Sequence, residues 1–225
     1  MGRFQSLLAF VTIGLGVLAP LAPAGAQSAA PADPPEPAKL AEIIAFGDSL
    51  SAGYGIGPGE SFPEQLQAAL AKAGVEARVV NAGVSGDTSS GGLARLDWSV
   101  PPSADLVIVE LGANDALRGV SPDVTRRNLD AILKRLTERE GTKVLLAGMI
   151  APPNMGEDYA RRFNPIYAEL AQAYGVAYYP FFLDGVASVA GLNQADYMHP
   201  NKDGVAVIVE RMLPLVRDTL AKPNG

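Results

Sequence analysis

The chain has 225 residues, 48% of them hydrophobic, so it is long enough to bury the core of one domain. It contains no cysteine and a single histidine, which excludes disulfides, thiolate nucleophiles and zinc sites built from two or more histidines. The formal charge of −6 comes without any tract rich in lysine or arginine, and this argues against binding to nucleic acid or to an anionic membrane.

Residues 1–26 have the organisation of a secretory signal peptide. Arg3 is followed by an apolar stretch over residues 7–18 and then by Ala24-Gly25-Ala26, which matches an A-x-A cleavage site. An uncleaved anchor is the alternative, but the apolar stretch is short for a membrane span of ~20 residues. Residues 27–38 are rich in alanine and proline and are predicted to form a disordered linker. We therefore predict a periplasmic or secreted protein whose mature form has no integral membrane segment and whose folded domain covers residues 39–225.

Five short apolar runs alternate with helical or loop segments in that domain. They are rich in Val, Ile, Leu or Tyr and lack polar alternation, which is typical of strands buried on both faces. Such alternation predicts an α/β fold, a three-layer α/β/α sandwich with a five-stranded parallel sheet in the middle layer. The predicted strands cover residues 42–47, 77–82, 105–111, 143–150 and 176–181.

Capping residues, first-turn prolines and terminating glycines predict four helices between these strands. Pro165 lies near the middle of the third helix, so a kink or a break is expected at Asn164. The helices cover about residues 61–72, 121–140 and 158–174, and the last begins near residue 201.

In a parallel sheet, reactive groups gather just past the carboxyl ends of the strands. Ser49 follows the first predicted strand, Gly86 the second and Asn114 the third, while Asp196 and His199 precede the last helix. They supply a hydroxyl, a base, an acid and N–H donors. Acyl transfer by serine needs these same parts.

These blocks resemble the motifs of the SGNH, or GDSL, hydrolase superfamily. Ser49 lies in Gly-Asp-Ser-Leu-Ser-Ala-Gly-Tyr, Gly86 in Ser-Gly-Asp-Thr-Ser, Asn114 in Gly-Ala-Asn-Asp-Ala-Leu-Arg-Gly, and Asp196 with His199 in the last block. The residues of these motifs are most similar to those of one branch, the periplasmic multifunctional acyl-CoA thioesterases/lysophospholipases and arylesterases. The resemblance covers about residues 43–220 and implies the flavodoxin-like fold of SGNH hydrolases.

The resemblance also implies a role for each of these residues. Ser49 would be the nucleophile, His199 the general base and then the acid, and Asp196 the residue that orients the imidazole. The backbone N–H groups of Ser49 and Gly86 and the side-chain amide of Asn114 would form the oxyanion hole.

The activity implied is that of an exported serine esterase acting on aryl and short-to-medium acyl carboxylic esters, and on thioesters, through an acyl-enzyme. A lysophospholipase, an acyltransferase or a carbohydrate deacetylase using the same site is the alternative, and a non-catalytic binding domain is a second rival. We expect a small-molecule ester or lipid substrate, no metal or other cofactor, and a monomer.

Other residues near these blocks allow further predictions. Leu117 and Pro153 follow the third and fourth strands and are predicted to wall a substrate groove, although ordinary surface loops would explain them equally well. Trp98 and Phe46 are predicted to be packing residues.

Three acids, Asp48, Asp87 and Asp115, stand beside the candidate residues. We predict that they accept hydrogen bonds from backbone N–H groups and fix the loops, and that they are not catalysts. The glycine-rich residues 53–59 do not have the spacing of a dinucleotide-binding motif and are predicted to form a turning or mobile loop.

Overall fold

The computed structural model describes Ala9 and residues 40–223, so the predictions for the signal peptide and the linker lie outside the described residues. Each strand begins within one residue of its predicted start, whereas the fourth and fifth end three and two residues early. The strands are Ala41–Gly47 (β1), Ala77–Gly83 (β2), Leu106–Glu110 (β3), Lys143–Ala147 (β4) and Ala177–Tyr179 (β5).

All five strands pair in parallel, in the order β2-β1-β3-β4-β5. Every residue of β3 is buried, as is most of β1. The edge strands β2 and β5 are only partly buried, so the prediction that all strands are buried on both faces is wrong for these two. An edge strand has a neighbour on one side only, and the helices cover it incompletely. The chain passes from β1 outward to β2 and then returns across β1 to β3, so the direction of winding reverses between β1 and β3. In sheets of this order, ligands bind in the crevice between those two strands.

The helices form two groups on the faces of the sheet. α2 packs against α8, whereas α3, α5 and α7 pack side by side, and this confirms the three-layer arrangement. The helices are Ser49–Ala52 (α1), Phe62–Lys72 (α2), Ser89–Ser99 (α3), Ala113–Leu117 (α4), Pro122–Thr137 (α5), Glu157–Phe163 (α6), Ile166–Tyr174 (α7) and Lys202–Ala221 (α8).

The predicted break in the third helix and the predicted start of the last helix are both confirmed. The third predicted helix is broken into α6 and α7 at Pro165, which has no N–H to donate. The side chain of Asn164 at the break accepts a hydrogen bond from the N–H of Ala151, at 2.9 Å. α8 begins after Asn201, whose side chain accepts from the N–H groups of two residues in the first turn.

Helix α3 was not predicted, and its surroundings explain why. Its first turn contains Gly91 and Gly92, each costing about 1 kcal/mol relative to alanine in a helix. A Cβ at Gly92 would overlap the side chain of Leu111, so close packing on the sheet requires this poor helix former. The prediction for Trp98 is wrong, because its side chain is 79% exposed. It follows the buried Leu96 by two positions, about 200° around the helix axis.

The core fills the space between the sheet and both helical groups. Under α2, the rings of Phe62 and Phe182 meet edge to face with centroids 5.1 Å apart. Under α7, Phe163 and Tyr167 make a similar contact at 5.8 Å. Within residues 40–223, no helix is long and apolar enough to cross a membrane.

Candidate active site

Ser49 is displayed by the sharp turn that follows β1, an interior strand of the sheet. A Cβ at Gly47 would overlap the side chain of Glu110, so only glycine fits where the strand ends. Asp48 then caps α1, with its Oδ1 accepting from the N–H of Leu50 at 3.0 Å. Ser49 is therefore the first helical residue, just past the carboxyl end of β1, as its position in the sequence predicts.

The structure brings His199 and Asp196 to this serine. Nε2 of His199 lies 3.0 Å from Oγ of Ser49, and Nδ1 lies 2.6 Å from Oδ2 of Asp196. Oδ1 of Asp196 accepts from the N–H groups of Met198 and His199, at 2.9 and 3.0 Å. The bond from the His199 backbone, followed by that from its ring, lowers the pKa of Asp196 to about 2, so this carboxylate is charged at neutral pH.

Two contacts that the sequence did not reveal hold His199 in place. The ring of Tyr54 lies against the imidazole, with centroids 4.7 Å apart and planes tilted by 41°. The side-chain amide of Gln194 donates to the carbonyl groups of Tyr54 and Pro200, at 2.7 and 3.0 Å. Its backbone N–H donates to the carbonyl of His199 at 2.8 Å. Gln194 thus joins the irregular residues 180–201 to the loop that follows α1.

Gly86 and Asn114 reach the same place from the ends of β2 and β3. Gly86 has a φ of +85°, which favours glycine, and its carbonyl accepts from Nη2 of Arg118 at 2.8 Å. Asn114 lies in the short helix α4, and its Nδ2 donates to Oδ2 of Asp48 at 3.0 Å. Both residues line one cavity together with Ser49.

This cavity has a volume of about 620 Å³, within the range of ~300–1,000 Å³ that is usual for small-ligand sites. Asp196 and His199 also line it, so the structure brings all five predicted site residues together. Leu117 and Pro153 form part of its wall, where the sequence predicts them. The contribution of residues 180–201 was not predicted. The apolar wall consists mainly of Leu50, Leu117, Met149, Ile150, Pro153, Phe181 and Leu183.

The prediction that the loop acids accept from backbone N–H groups is confirmed for Asp48, described above, and for Asp115. Asp115 is fully buried, and its Oδ2 accepts from the N–H of Ser89 at 2.7 Å. Its Oδ1 accepts from the hydroxyl groups of Ser89 and Thr125, at 2.5 and 3.0 Å. Asp115 therefore ties the start of α3 to α5.

Asp87 has a different partner, since its carboxylate pairs with Nε of Arg95 at 2.6 Å. The buried guanidinium also donates to the carbonyl groups of Gly47 and Ala82, both at 2.8 Å. Its Cζ lies 4.3 Å from the centroid of the Phe46 ring, and Phe46 is fully buried, as predicted. Arg95 thus fastens the carboxyl ends of β1 and β2 to each other.

Two acids lie beneath Ser49 with no exposed surface, Asp48 and Glu110. Oε2 of Glu110 accepts from the Asp48 N–H at 3.2 Å and from the Ser51 hydroxyl at 2.8 Å. Burial raises the pKa of Asp48 to about 6, against the opposing hydrogen bonds from Leu50 and Asn114. Burial, and then the charge of Asp48, raise the pKa of Glu110 well above its usual value. The sequence signal for this pair was a glutamate inside an otherwise apolar strand.

The arrangement has the parts that acyl transfer requires. A hydroxyl contacts an imidazole, the imidazole contacts a charged carboxylate, and the candidate oxyanion donors open on the same cavity. Among residues 40–223, no group of three or more His, Asp and Glu side chains is placed to hold a metal ion.

The fold and the site define an SGNH-type hydrolase. Residues 45–207 match the GDSL-like Lipase/Acylhydrolase family, and the chain belongs to this family. It is therefore a hydrolase that acts on ester bonds.

Three relatives are similar over most of their length. Esterase TesA of Pseudomonas aeruginosa is 40% identical over 184 residues, which cover 81% of this chain and 91% of that protein. An arylesterase of Vibrio mimicus is 38% identical over 170 residues, covering 75% and 84% of the two chains. Thioesterase 1/protease 1/lysophospholipase L1 of Escherichia coli K12 is 37% identical over 171 residues, covering 76% and 80%.

Solved structures share the fold. The crystal structure of TesA superposes with a TM-score of 0.75 and covers 79% of this chain and 99% of that one. AlinE4, an esterase of the SGNH-hydrolase family, is 46% identical with a TM-score of 0.67, covering 82% and 98%.

Proposed function

We propose that this hydrolase is an exported serine esterase, acting on aryl and short-to-medium acyl carboxylic esters, and on thioesters, through an acyl-enzyme on Ser49. The observation that carries the proposal is the line of contacts from Asp196 through His199 to Ser49, at 2.6 and 3.0 Å, in the lining of a largely apolar cavity. The names of the relatives, esterase, arylesterase and thioesterase, support this substrate class.

In acylation, Oγ of Ser49 attacks the carbonyl carbon of the ester while its proton passes to Nε2 of His199. The carbonyl oxygen becomes an oxyanion and accepts from the N–H groups of Ser49 and Gly86 and from the amide of Asn114. The charged carboxylate of Asp196 stabilises the imidazolium. When the tetrahedral intermediate collapses, the imidazolium donates its proton to the departing alcohol or thiol, and the acyl group stays on Ser49.

Deacylation repeats these steps with water. His199 accepts a proton from a water molecule, which attacks the acyl carbon and forms a second oxyanion in the same place. The intermediate then releases the carboxylic acid as Oγ of Ser49 takes the proton back. No group other than the side chains and N–H donors of this site is needed for the cycle.

The apolar wall of the cavity suggests where the acyl chain binds. Each buried methylene contributes ~0.8 kcal/mol, so Leu117 and Pro153 would favour longer acyl chains until the cavity is filled. Such a wall offers few groups for sugar hydroxyls, which argues against a carbohydrate deacetylase.

The test is a panel of p-nitrophenyl esters and acyl-CoA thioesters of graded chain length, assayed on the purified protein and on Ser49→Ala. We expect turnover by the wild type and a loss of about 10⁴-fold or more in the variant, whose melting temperature should be unchanged within a few degrees. A fluorophosphonate should add one mass increment to the wild type only. Comparable hydrolysis by Ser49→Ala would exclude the acyl-enzyme.

Lysophospholipid hydrolysis is a second candidate, favoured by the mouth of the cavity. Large apolar side chains that line the cavity are also exposed, among them Tyr54, Ile150, Tyr197 and Met198. They would suit the chain of an amphiphile, and one relative is named lysophospholipase L1. A kcat/KM for lysophospholipid above that for aryl esters would favour this candidate, and the reverse order would favour the first.

Export rests on the sequence of residues 1–26. We expect the protein recovered from outside the cytoplasm to begin after Ala26, which intact mass measurement checks. A full-length protein confined to the cytoplasm would contradict the proposal of export.

A further inference from the structure

The amide of Asn114 faces two different partners. Its Nδ2 carries two hydrogens, and one of them is donated to Oδ2 of Asp48 at 3.0 Å. Asn114 also lines the cavity, so its second hydrogen is available to an oxyanion. Oδ1 of Asp48 is already occupied by the N–H of Leu50 at 3.0 Å. The carboxylate therefore accepts with both oxygens.

We infer that Asp48 is a positioning residue, which fixes the amide of Asn114 in the one orientation that directs an N–H into the oxyanion hole. This inference rests on the proposed function. An asparagine side chain turned by half a rotation exchanges its oxygen and its nitrogen. With Asp48 beneath, that turn would set the oxygen of Asn114 against a carboxylate oxygen, two acceptors without a hydrogen between them. The turned amide would also present an oxygen, not an N–H, to the developing negative charge.

Asp48 itself has little freedom to move. It is fully buried, its N–H donates to Oε2 of Glu110 at 3.2 Å, and its side chain caps α1. The hydroxyl of Ser51 donates to the same Oε2 at 2.8 Å. The contacts thus run from β3 through Glu110 and Asp48 to Asn114. Asp48 does not line the cavity, so it acts through Asn114 and not on the substrate.

The variant Asp48→Asn tests this role, because it keeps the size of the side chain and changes only its hydrogen-bonding groups. Since the N–H of Leu50 still needs an acceptor, the new amide will place its oxygen there and its NH₂ group towards Asn114. That NH₂ group favours the turned orientation of Asn114. A nearly isosteric change should therefore damage the oxyanion hole as much as removing the Asn114 side chain.

The experiment is a double-mutant cycle with Asp48→Asn and Asn114→Ala, with melting temperatures recorded in parallel. We expect each single change to lower kcat by about 10²-fold or more with KM altered less than ~3-fold. The double variant should lose no more than the worse single variant, because both remove the same N–H. A loss in the double variant equal to the product of the two single losses would overturn the inference. So would Asp48→Asn with kcat within ~3-fold of the wild type.

The exchange Asp48→Asn with Asn114→Asp distinguishes positioning from a structural role. The new amide can donate to the new carboxylate, so the melting temperature should recover relative to Asp48→Asn, whereas kcat should stay low because a carboxylate has no N–H. Recovery of kcat together with the melting temperature would overturn the inference. If Asp48→Asn does not fold, Asp48→Ala replaces it in the cycle with Asn114→Ala, and the same two outcomes apply.

Ser49→Ala is assayed beside these variants. If Ser49→Ala keeps its activity, the proposed function fails. If it is inactive while Asp48→Asn is fully active, only the role of Asp48 fails.

Discussion

Ser49 and His199 meet at 3.0 Å, but the chain supports them in different ways. Ser49 stands two residues beyond the end of the interior strand β1, above the fully buried Asp48 and Glu110. His199 belongs to residues 180–201, a part of the described chain with no helix and no regular strand.

This irregular segment shows signs of local strain and exposure. Ser188 and Tyr197 adopt positive φ values of 61° and 56°, although neither is glycine. Tyr197 is 85% exposed, and Gln194 provides much of the link to the loop after α1. The proposed nucleophile is thus placed by the core, and the proposed base by contacts between loops. Changes beneath Ser49 should therefore cost stability, and those at Asp48 should also cost activity through Asn114. Changes around His199 should cost activity while the fold survives.

The largest effect on stability is expected at Glu110. Glu110→Ala leaves the Asp48 N–H and the Ser51 hydroxyl without their buried acceptor and opens a cavity, so the free energy of unfolding should fall by about 3 kcal/mol. Glu110→Gln keeps an acceptor of the same size and should stay within ~1 kcal/mol of the wild type. Urea unfolding at neutral pH measures both. Equal losses in the two variants would mean that the acceptor oxygen is not what matters.

The same pair predicts how stability depends on pH. Burial raises the pKa of Asp48 from 3.8 to about 6 and raises that of Glu110 as well, so the folded chain keeps protons that the unfolded chain has released. The stability that these protons contribute is fully present below the pKa of the unfolded chain and is lost as the pH rises through the pKa of the folded chain. The free energy of unfolding should therefore decline between pH 3.8 and about 6, and further as Glu110 ionises. In Glu110→Gln, the free energy of unfolding should decline less steeply with pH than in the wild type. An identical slope would contradict the assignment of this pH dependence to the buried pair.

Around His199 we expect the opposite result, because Gln194→Ala should cost activity and leave most of the stability. The change removes two hydrogen bonds, to the carbonyl groups of Tyr54 and Pro200. A shift of the imidazole by a fraction of an ångström lowers kcat/KM, and we expect about a 10-fold loss with no more than ~1 kcal/mol of stability.

Gln67→Ala is the matched control for Gln194→Ala. Gln67 also bonds two backbone groups, the carbonyl of Ala77 and the N–H of Val79, at 2.6 and 2.7 Å, but it joins α2 to β2 away from the cavity. The variant Gln67→Ala should therefore lose stability and keep its activity. If both variants lose activity alike, the link between the two loops has no special role.

The same contrast explains which parts could be predicted from the sequence. Apolar runs predict strands because burial on two faces excludes polar residues, and the parallel sheet then places Ser49, Gly86 and Asn114 at one edge. The motif around Asp196 and His199 adds the candidate base. These predictions depend on the order of residues along the chain, and the structure shows all five at one cavity.

Contacts between distant segments could not be predicted in this way. The glycines of α3 are tolerated only because Leu111 approaches so closely. Arg95 finds its acceptors at the ends of two strands, and the partner of Asp48 lies 62 positions away, at Glu110. None of these pairings has a local pattern, because only the completed fold brings the groups together. The lining of the cavity by residues 180–201 also depends on contacts between distant segments.

The smallest effect is expected at Tyr54, and it separates placement of the base from stabilisation of its charge. The ring lies 4.7 Å from the imidazole, so it faces a cation once His199 takes the proton of Ser49. Tyr54 is exposed, and a cation over an exposed aromatic face is stabilised by ~0.5–1 kcal/mol, which predicts about a 2- to 5-fold loss of kcat in Tyr54→Leu.

Tyr54→Phe is the control, because it keeps the ring and removes only the hydroxyl. We expect kcat for an aryl ester to stay within ~2-fold of the wild type in this variant. Since the carbonyl of Tyr54 still accepts from Gln194 in both variants, the tie between the loops is retained and only the ring differs. If Tyr54→Phe loses as much as Tyr54→Leu, the hydroxyl is responsible. If neither loses activity, Gln194 and Asp196 alone place the base.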